Sequence, residues 1–126
     1  MQRNKINRMN LKIQLPDFLT KEGLDDFNPL SEKIVIQDIV YLVVFIERFF
    51  EKRKTFNRNI SSYGLKHAIE RCLNNEVHIS NGELIAAMLL CGFDYKQFHQ
   101  KGLNCYFNLN RIDEEKIKKV SINIKL

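Results

Sequence analysis

Three histidines and three cysteines are the side chains of this sequence best suited to metal binding or nucleophilic chemistry. They do not stand at the spacings of metal ligands, and neither a CxxC nor an HExxH motif occurs. No glycine-rich phosphate loop and no nucleophile elbow is present either. We therefore expect a protein that is not an enzyme and that uses no metal and no cofactor. The side chains concerned are His67, His78, His99, Cys72, Cys91 and Cys105.

The cysteines are odd in number, unclustered, and placed where an apolar residue would fit. Cys72 lies on the apolar stripe of its predicted helix, which is an unfavourable position for a reactive thiolate. The N-terminus, "MQRNKINRMN", has no secretory signal pattern. We therefore expect buried, reduced thiols in a cytoplasmic protein.

Basic side chains indicate a function more clearly than the histidines and cysteines do. The 126 residues, enough for one domain spanning 1–126, carry a formal net charge of +5 and have a pI of about 9.2. Such a surface attracts polyanions weakly. The alternative is that these basic residues are solvent-exposed faces of a lysine-rich protein and bind no polyanion. A basic arm occupies residues 1–10, and a basic connector, residues 52–58, begins "KRKTFNR". The predicted nucleic-acid-binding residues are Lys52, Arg53, Lys54, Arg58, Ser62, Lys66, His67, Arg71, Asn81, Lys96 and Lys101.

Two further features bear on nucleic acid. A predicted helix N-terminus at Ser61-Ser62, with Gly64 permitting close approach, could hold a phosphate. Aromatic residues interleaved with basic ones could stack single-stranded bases, or their inward half could belong to the core. These aromatic residues are Phe93, Tyr95, Phe98, Tyr106 and Phe107.

The elements that must position these side chains begin with a predicted long helix over residues 30–54. Asn28-Pro29 or Ser31 could open it. It is apolar over most of its circumference, which predicts burial on several sides. Since one small domain could hardly cover it, we expect a homodimer through residues 34–50. Its most apolar run, 39–46, is too short to cross a membrane.

A second helix, "SYGLKHAIERCLN", follows with its polar residues predicted to point outward: Lys66, His67, Glu70 and Arg71. Ser80 and Glu83 form a capping box for a third helix, which Gly92 ends. "FDYKQFHQKGLNCYFNLN" then predicts a β-hairpin. "NLKIQL" near the N-terminus and "VSINIKL" at the C-terminus alternate as strands, and "DEEKIKK" predicts one helical turn.

This order of helices followed by a hairpin resembles a winged helix-turn-helix over residues 31–110, in a fold that is mainly α with a small β component. The run "SSYGLKH…HISNGELIAAMLLCGF…YFNL" also resembles small uncharacterised proteins of bacterial mobile elements and plasmids. The resemblance implies that the third helix would enter a DNA groove. Of its outward candidates only Asn81 is a favoured base reader. Those candidates are Asn81, Glu83, Ala86, Ala87 and Leu90.

These patterns predict a non-catalytic nucleic-acid-binding or regulatory protein of low sequence specificity on a winged helix-turn-helix-like scaffold. Its contacts would be mainly to phosphates, of either DNA or RNA. The alternative is a protein-interaction or inhibitor module that keeps the winged-helix shape without DNA binding. Ala86, Ala87 and Leu90 motivate this alternative, because exposed apolar residues suit a protein surface better than a groove.

Overall fold

The structure is a computed structural model that describes residues 15–24, 28–98 and 102–123, and the side chains of these residues up to 120. In the described part, a short 3-10 helix at Ile36–Ile39 leads into four α-helices and a two-stranded sheet. The helices are α1 (Val40–Phe49), α2 (Ser62–Cys72), α3 (Asn81–Leu90) and α4 (Glu114–Asn123); the strands are β1 (Tyr95–Lys96) and β2 (Tyr106–Phe107). A mainly helical fold with a small β component was predicted from the sequence, and it is confirmed.

Helix α1 is much shorter than the predicted helix over 30–54. Asn28 closes a turn instead of opening a helix: its backbone oxygen accepts from the Ser31 N–H and its Oδ1 accepts from the Leu30 N–H. At the other end, Phe50 is already extended (φ −106°, ψ 143°). The chain leaves the helix there because the connector pairs with the hairpin.

One side of α1 is buried within the chain. Leu42, Val43 and Ile46 are at most 1% exposed, and α1 packs against α3. The Cys91 Sγ–H donates to the Val43 oxygen across this contact at 3.6 Å. Other apolar residues of the segment stay accessible: Val35 is 45% exposed and Tyr41 is 40% exposed. The homodimer through residues 34–50 therefore stays a prediction.

Helix α2 begins at its predicted signal, and helix α3 begins and ends at its predicted signals. The Ser61 Oγ accepts from the Gly64 N–H, and the Ser80–Glu83 capping box is formed in both directions. At the other end of α3, the Phe93 N–H donates to Met88 O and the Gly92 N–H to Leu89 O. This is a Schellman motif, and its left-handed residue is Gly92 (φ 85°).

Helix α3 is the centre of the core. Its residues from Leu84 to Leu90 are all buried, and the segment 15–24 crosses its N-terminus. There the Gly82 N–H donates to the Lys21 oxygen, and a Cβ at Gly82 would overlap the Thr20 oxygen. Only glycine permits this close approach of two backbones.

The C-terminal region differs from its prediction as a strand. Glu114–Asn123 is a helix, opened by the Asp113 Oδ1, which accepts from the Lys116 N–H. The predicted strand began at Val120, which follows the buried Ile117 by three residues. This spacing places both side chains on one face of a helix. Residues 124–126 and the predicted N-terminal strand up to residue 14 lie outside the described residues, as does the basic arm 1–10.

Candidate nucleic-acid interface

The connector, residues 52–58, lies alongside strand β2 and so attaches to the hairpin. Lys52 and Leu109 form an antiparallel bridge, and the Arg53 N–H donates to the Asn108 oxygen at 2.9 Å. The buried Asn57 fixes the far end: its N–H donates to Phe107 O and its Nδ2 to Leu109 O. Sequence reasoning missed Asn57, because its signal is a single polar residue inside a basic stretch.

The hairpin itself forms in the predicted place, with Tyr95 opposite Phe107 and Lys96 opposite Tyr106. The predicted division of its aromatic residues is also confirmed: Phe93 and Phe107 are buried in the core. Tyr95, Phe98 and Tyr106 are partly exposed, and the Phe98 and Tyr106 rings meet edge to face at 5.5 Å. Lys101 and His99 lie outside the described residues.

Basic residues from the connector and from the hairpin converge on one ring. The Arg58 guanidinium carbon is 3.9 Å from the centroid of the Phe98 ring, and the Lys96 Nζ is 5.3 Å from it. Further along, the Lys52 Nζ is 5.4 Å from the centroid of the Phe93 ring. These cation–π contacts orient the cations while their charges remain in solvent. We call this the connector–hairpin surface; its cations are Lys52, Arg53, Lys54, Arg58 and Lys96.

The cations of this surface are not neutralised. Among the described residues, no ion pair joins any of the five to a carboxylate. Two acidic residues, Glu51 and Asp94, flank the surface. All of its cations are exposed except Arg53, which is partly buried because its side chain donates to the Thr55 and Phe56 oxygens. The surface therefore presents an excess of positive charge.

The predicted residues of α2 are arranged differently, and the expectation that Lys66 and Glu70 point outward is wrong. Lys66 is 6% exposed and Glu70 is 7% exposed. The Glu70 carboxylate lies 3.9 Å from the Lys66 Nζ and 2.9 Å from the His67 Nδ1. Its other oxygen accepts from the Ile79 N–H and lies 3.5 Å from the His78 Nδ1. We call this group the Glu70 cluster.

The electrostatics of the Glu70 cluster favour the charged carboxylate. Burial raises the pKa of Glu70, but the hydrogen bond from the Ile79 N–H and the charges of Lys66 and His67 outweigh it. The pKa is therefore below the ordinary value of 4.5. The burial of Lys66 thus follows from a local anionic partner.

Arg71 is exposed as predicted, but it is already paired. Its Nε and Nη2 donate to the two carboxylate oxygens of Glu114 at 2.9 and 3.0 Å. This bidentate pair lowers the pKa of Glu114 and raises that of Arg71, with the hydrogen bond as the largest cause in each case. It joins α2 to α4, so Arg71 has a structural partner.

The phosphate site predicted at the start of α2 is not built. The Ser62 N–H donates to the Cys105 oxygen, and the buried Ser62 Oγ accepts from the Cys105 N–H. The N–H groups of Gly64 and Leu65 are taken by Ser61. A Cβ at Gly64 would lie 3.2 Å from the Ile60 side chain, so the space beside Gly64 is already occupied.

Helix α3 does not offer its predicted outward residues. Ala86, Ala87 and Leu90 are at most 2% exposed, so the expectation of an exposed apolar face there is wrong. Asn81 is buried as well: its Nδ2 lies within hydrogen-bond distance of Glu22 O, Leu103 O and Asn104 Oδ1. Glu83 is partly buried in the capping box. In this fold α3 is a packing helix.

The thiols are all buried, as predicted. Burial raises the pKa of both Cys91 and Cys105 to about 12, so neither ionises near neutral pH. Within the described ranges, no group of three His, Cys, Asp or Glu side chains could hold a metal ion. In the same residues, no helix combines the length and apolar character needed to cross a membrane.

Comparison with known proteins finds no family model, no curated protein and no solved structure that matches this chain. The resemblance to mobile-element proteins therefore stays a prediction.

Proposed function

We propose that this is a non-catalytic, cytoplasmic nucleic-acid-binding protein of low sequence specificity, which contacts phosphates through the connector–hairpin surface. The observation that supports this most is the convergence of Arg58 and Lys96 on the partly exposed ring of Phe98. Cations without carboxylate partners, held beside aromatic rings, suit a phosphate backbone and the faces of unpaired bases.

Low sequence specificity follows from the burial of α3. Base edges are read by side chains that are free to donate and accept in a groove. Asn81 was the one favoured reader of the third helix, but it is buried, and its Nδ2 already donates to oxygens of the chain itself. Contacts made by Lys and Arg to phosphates position a protein without specifying sequence.

A winged helix-turn-helix-like scaffold belongs to the same proposal. Its support is the order α1, α2, α3 and then an antiparallel hairpin, with the connector paired beside β2. In this proposal the hairpin and connector act as the binding wing, and the chain just after α3 meets the connector where Lys52 lies beside Phe93. The protein-interaction alternative has lost the exposed α3 residues that motivated it, and we put forward no second function.

The test is fluorescence anisotropy with labelled random-sequence duplex DNA, single-stranded DNA and RNA across a salt series. The variant Lys54→Ala/Lys96→Ala removes two cations of the surface, and Lys33→Ala/Lys119→Ala removes the same charge elsewhere. For duplex DNA we expect the first variant to reduce the slope of log K against log salt by about 2, since each phosphate contact contributes about 0.9. The control variant should retain the slope.

Two results would overturn the proposal. One is the absence of binding to all three nucleic acids at low salt. The other is an equal loss of slope in the two double variants, because it would show that only net charge matters. The ranking of duplex, single-stranded DNA and RNA identifies which of them the surface prefers.

A further inference from the structure

A pocket of about 480 Å³ lies between the end of α1 and the start of α4. Pockets of roughly 300–1,000 Å³ are the size that binds small molecules. Its apolar lining comes from Phe49 in α1, Ile112 before α4, and Ile117 and Val120 in α4. It shares none of the five cations of the connector–hairpin surface, and Glu51 borders both regions.

Three cations line the same pocket: Arg48, Arg111 and Lys116. None of them is joined to a carboxylate by an ion pair within the described part of the chain. The Arg48 guanidinium carbon lies 5.5 Å from the Phe49 ring centroid, which places a charged group beside the apolar lining. All three side chains are exposed, so they can turn toward an anion that enters.

Two carboxylates, Glu51 and Asp113, complete the lining. The Asp113 Oδ1 accepts from the Lys116 N–H, so this group is held as the cap of α4 and not as a partner of an arginine. With three cations and two carboxylates, the lining has a formal charge of +1. That charge matches a ligand with one acidic group.

We propose that this pocket binds a small amphipathic monoanion, such as an aromatic or short aliphatic acid. The acidic group would be bound by the guanidinium and ammonium donors of the lining, Arg111 and Lys116 among them. The apolar body lies against Phe49, Ile112 and Ile117, where its burial supplies most of the affinity. The proposal does not depend on nucleic-acid binding.

The test uses anilinonaphthalene sulfonate as the probe, with neutral phenylnaphthylamine as its uncharged counterpart. We expect saturable binding of the sulfonate to the full chain at one site, and weaker binding of the neutral compound. Replacing Arg111→Ala/Lys116→Ala should weaken sulfonate binding about tenfold, because two cations near the anion are lost. Lys33→Ala/Lys119→Ala, with the same change in net charge, should leave it unchanged, as should Lys54→Ala/Lys96→Ala.

Equal binding of the charged and neutral compounds would overturn the proposal, because the cations would then have no role. Equal weakening in Arg111→Ala/Lys116→Ala and Lys33→Ala/Lys119→Ala would also overturn it. So would the absence of saturable sulfonate binding to the wild-type protein. Far-UV circular dichroism of each variant confirms that a loss of binding is not a loss of folding.

Discussion

The Glu70 cluster and the connector–hairpin surface both contain basic side chains, and they differ in what those side chains contact. In the cluster, Lys66 and the two histidines face one buried carboxylate. On the surface, Arg58 and Lys96 face an aromatic ring, and no ion pair joins them to a carboxylate of the described residues. A paired, buried cation contributes to the stability of the fold, whereas an exposed cation beside a ring remains available to an anion. The partner of a basic residue, more than its presence, therefore indicates its role.

The largest effect is expected from removing the anion of the cluster. Glu70→Ala leaves the buried Ile79 N–H without an acceptor and Lys66 without a counter-charge. We expect a loss of about 3 kcal/mol in the free energy of unfolding, measured by urea denaturation. Glu115→Ala, which removes an exposed partner of Lys118, should change it by less than about 0.5 kcal/mol. Similar losses of unfolding free energy in both variants would mean that the buried contacts of Glu70 do not stabilise the fold.

The next prediction distinguishes the Glu70 cluster from the connector–hairpin surface by two quantities, the unfolding free energy and the salt dependence of binding. Lys66→Ala should lower the free energy of unfolding by about 2 kcal/mol, because it leaves Glu70 without its buried cation. It should leave the salt dependence of nucleic-acid binding unchanged. Lys54→Ala should do the reverse, because Lys54 is exposed and has no ion pair among the described residues. A reduced salt slope in Lys66→Ala would return α2 to the interface, as the sequence alone had predicted.

A smaller effect concerns the pH dependence of the unfolding free energy. The pKa of Glu70 in the folded protein is below the ordinary 4.5, so its stabilisation is present above that pH. It is lost as the pH falls through 4.5 toward the folded pKa. Glu70→Gln should therefore show a shallower decline in unfolding free energy between about pH 5 and pH 3. Some decline should persist, because the pKa of Glu114 is lowered too. An unchanged pH profile would contradict the role of the cluster.

The smallest effect tests the aromatic contact of the surface. Arg58→Lys keeps the charge but replaces the flat guanidinium that lies 3.9 Å from the Phe98 centroid. We expect single-stranded binding to weaken about threefold at an unchanged salt slope, since an ammonium stacks less well. Anisotropy titration measures this, with Lys119→Arg as the conservative control. Wild-type affinity in Arg58→Lys would show that Phe98 only fills space.

The parts of this fold that sequence patterns predicted are those set by local signals. Ser61, the Ser80–Glu83 pair and Gly92 satisfy backbone groups within a few residues of themselves, so their roles follow from spacing. The hairpin likewise follows from aromatic runs on both sides of a turn. In each case the energy that decides the structure is local.

The parts that patterns did not predict depend on distant contacts. Helix α1 ends at Phe49 because the connector pairs with β2, almost sixty residues further along the chain. Glu70 is buried beside Lys66 because the chain at Ile79 packs against α2 and its N–H donates to the Glu70 carboxylate. Helix α4 is held against α2 by the hydrogen bond from Arg71 to Glu114. For the candidate site, the sequence pattern named the basic residues. It did not show that Lys66 and Arg71 are paired with carboxylates, whereas the cations of the connector–hairpin surface have no ion pair among the described residues.

The most direct test of this account is a titration of ¹⁵N-labelled protein with random-sequence single-stranded DNA, followed by amide chemical shifts. We predict that the shifts concentrate in residues 52–58 and 94–98. The amides of α3 and of the Glu70 cluster should move little. Shifts centred on α2 and the start of α3, with the connector and hairpin unaffected, would contradict it.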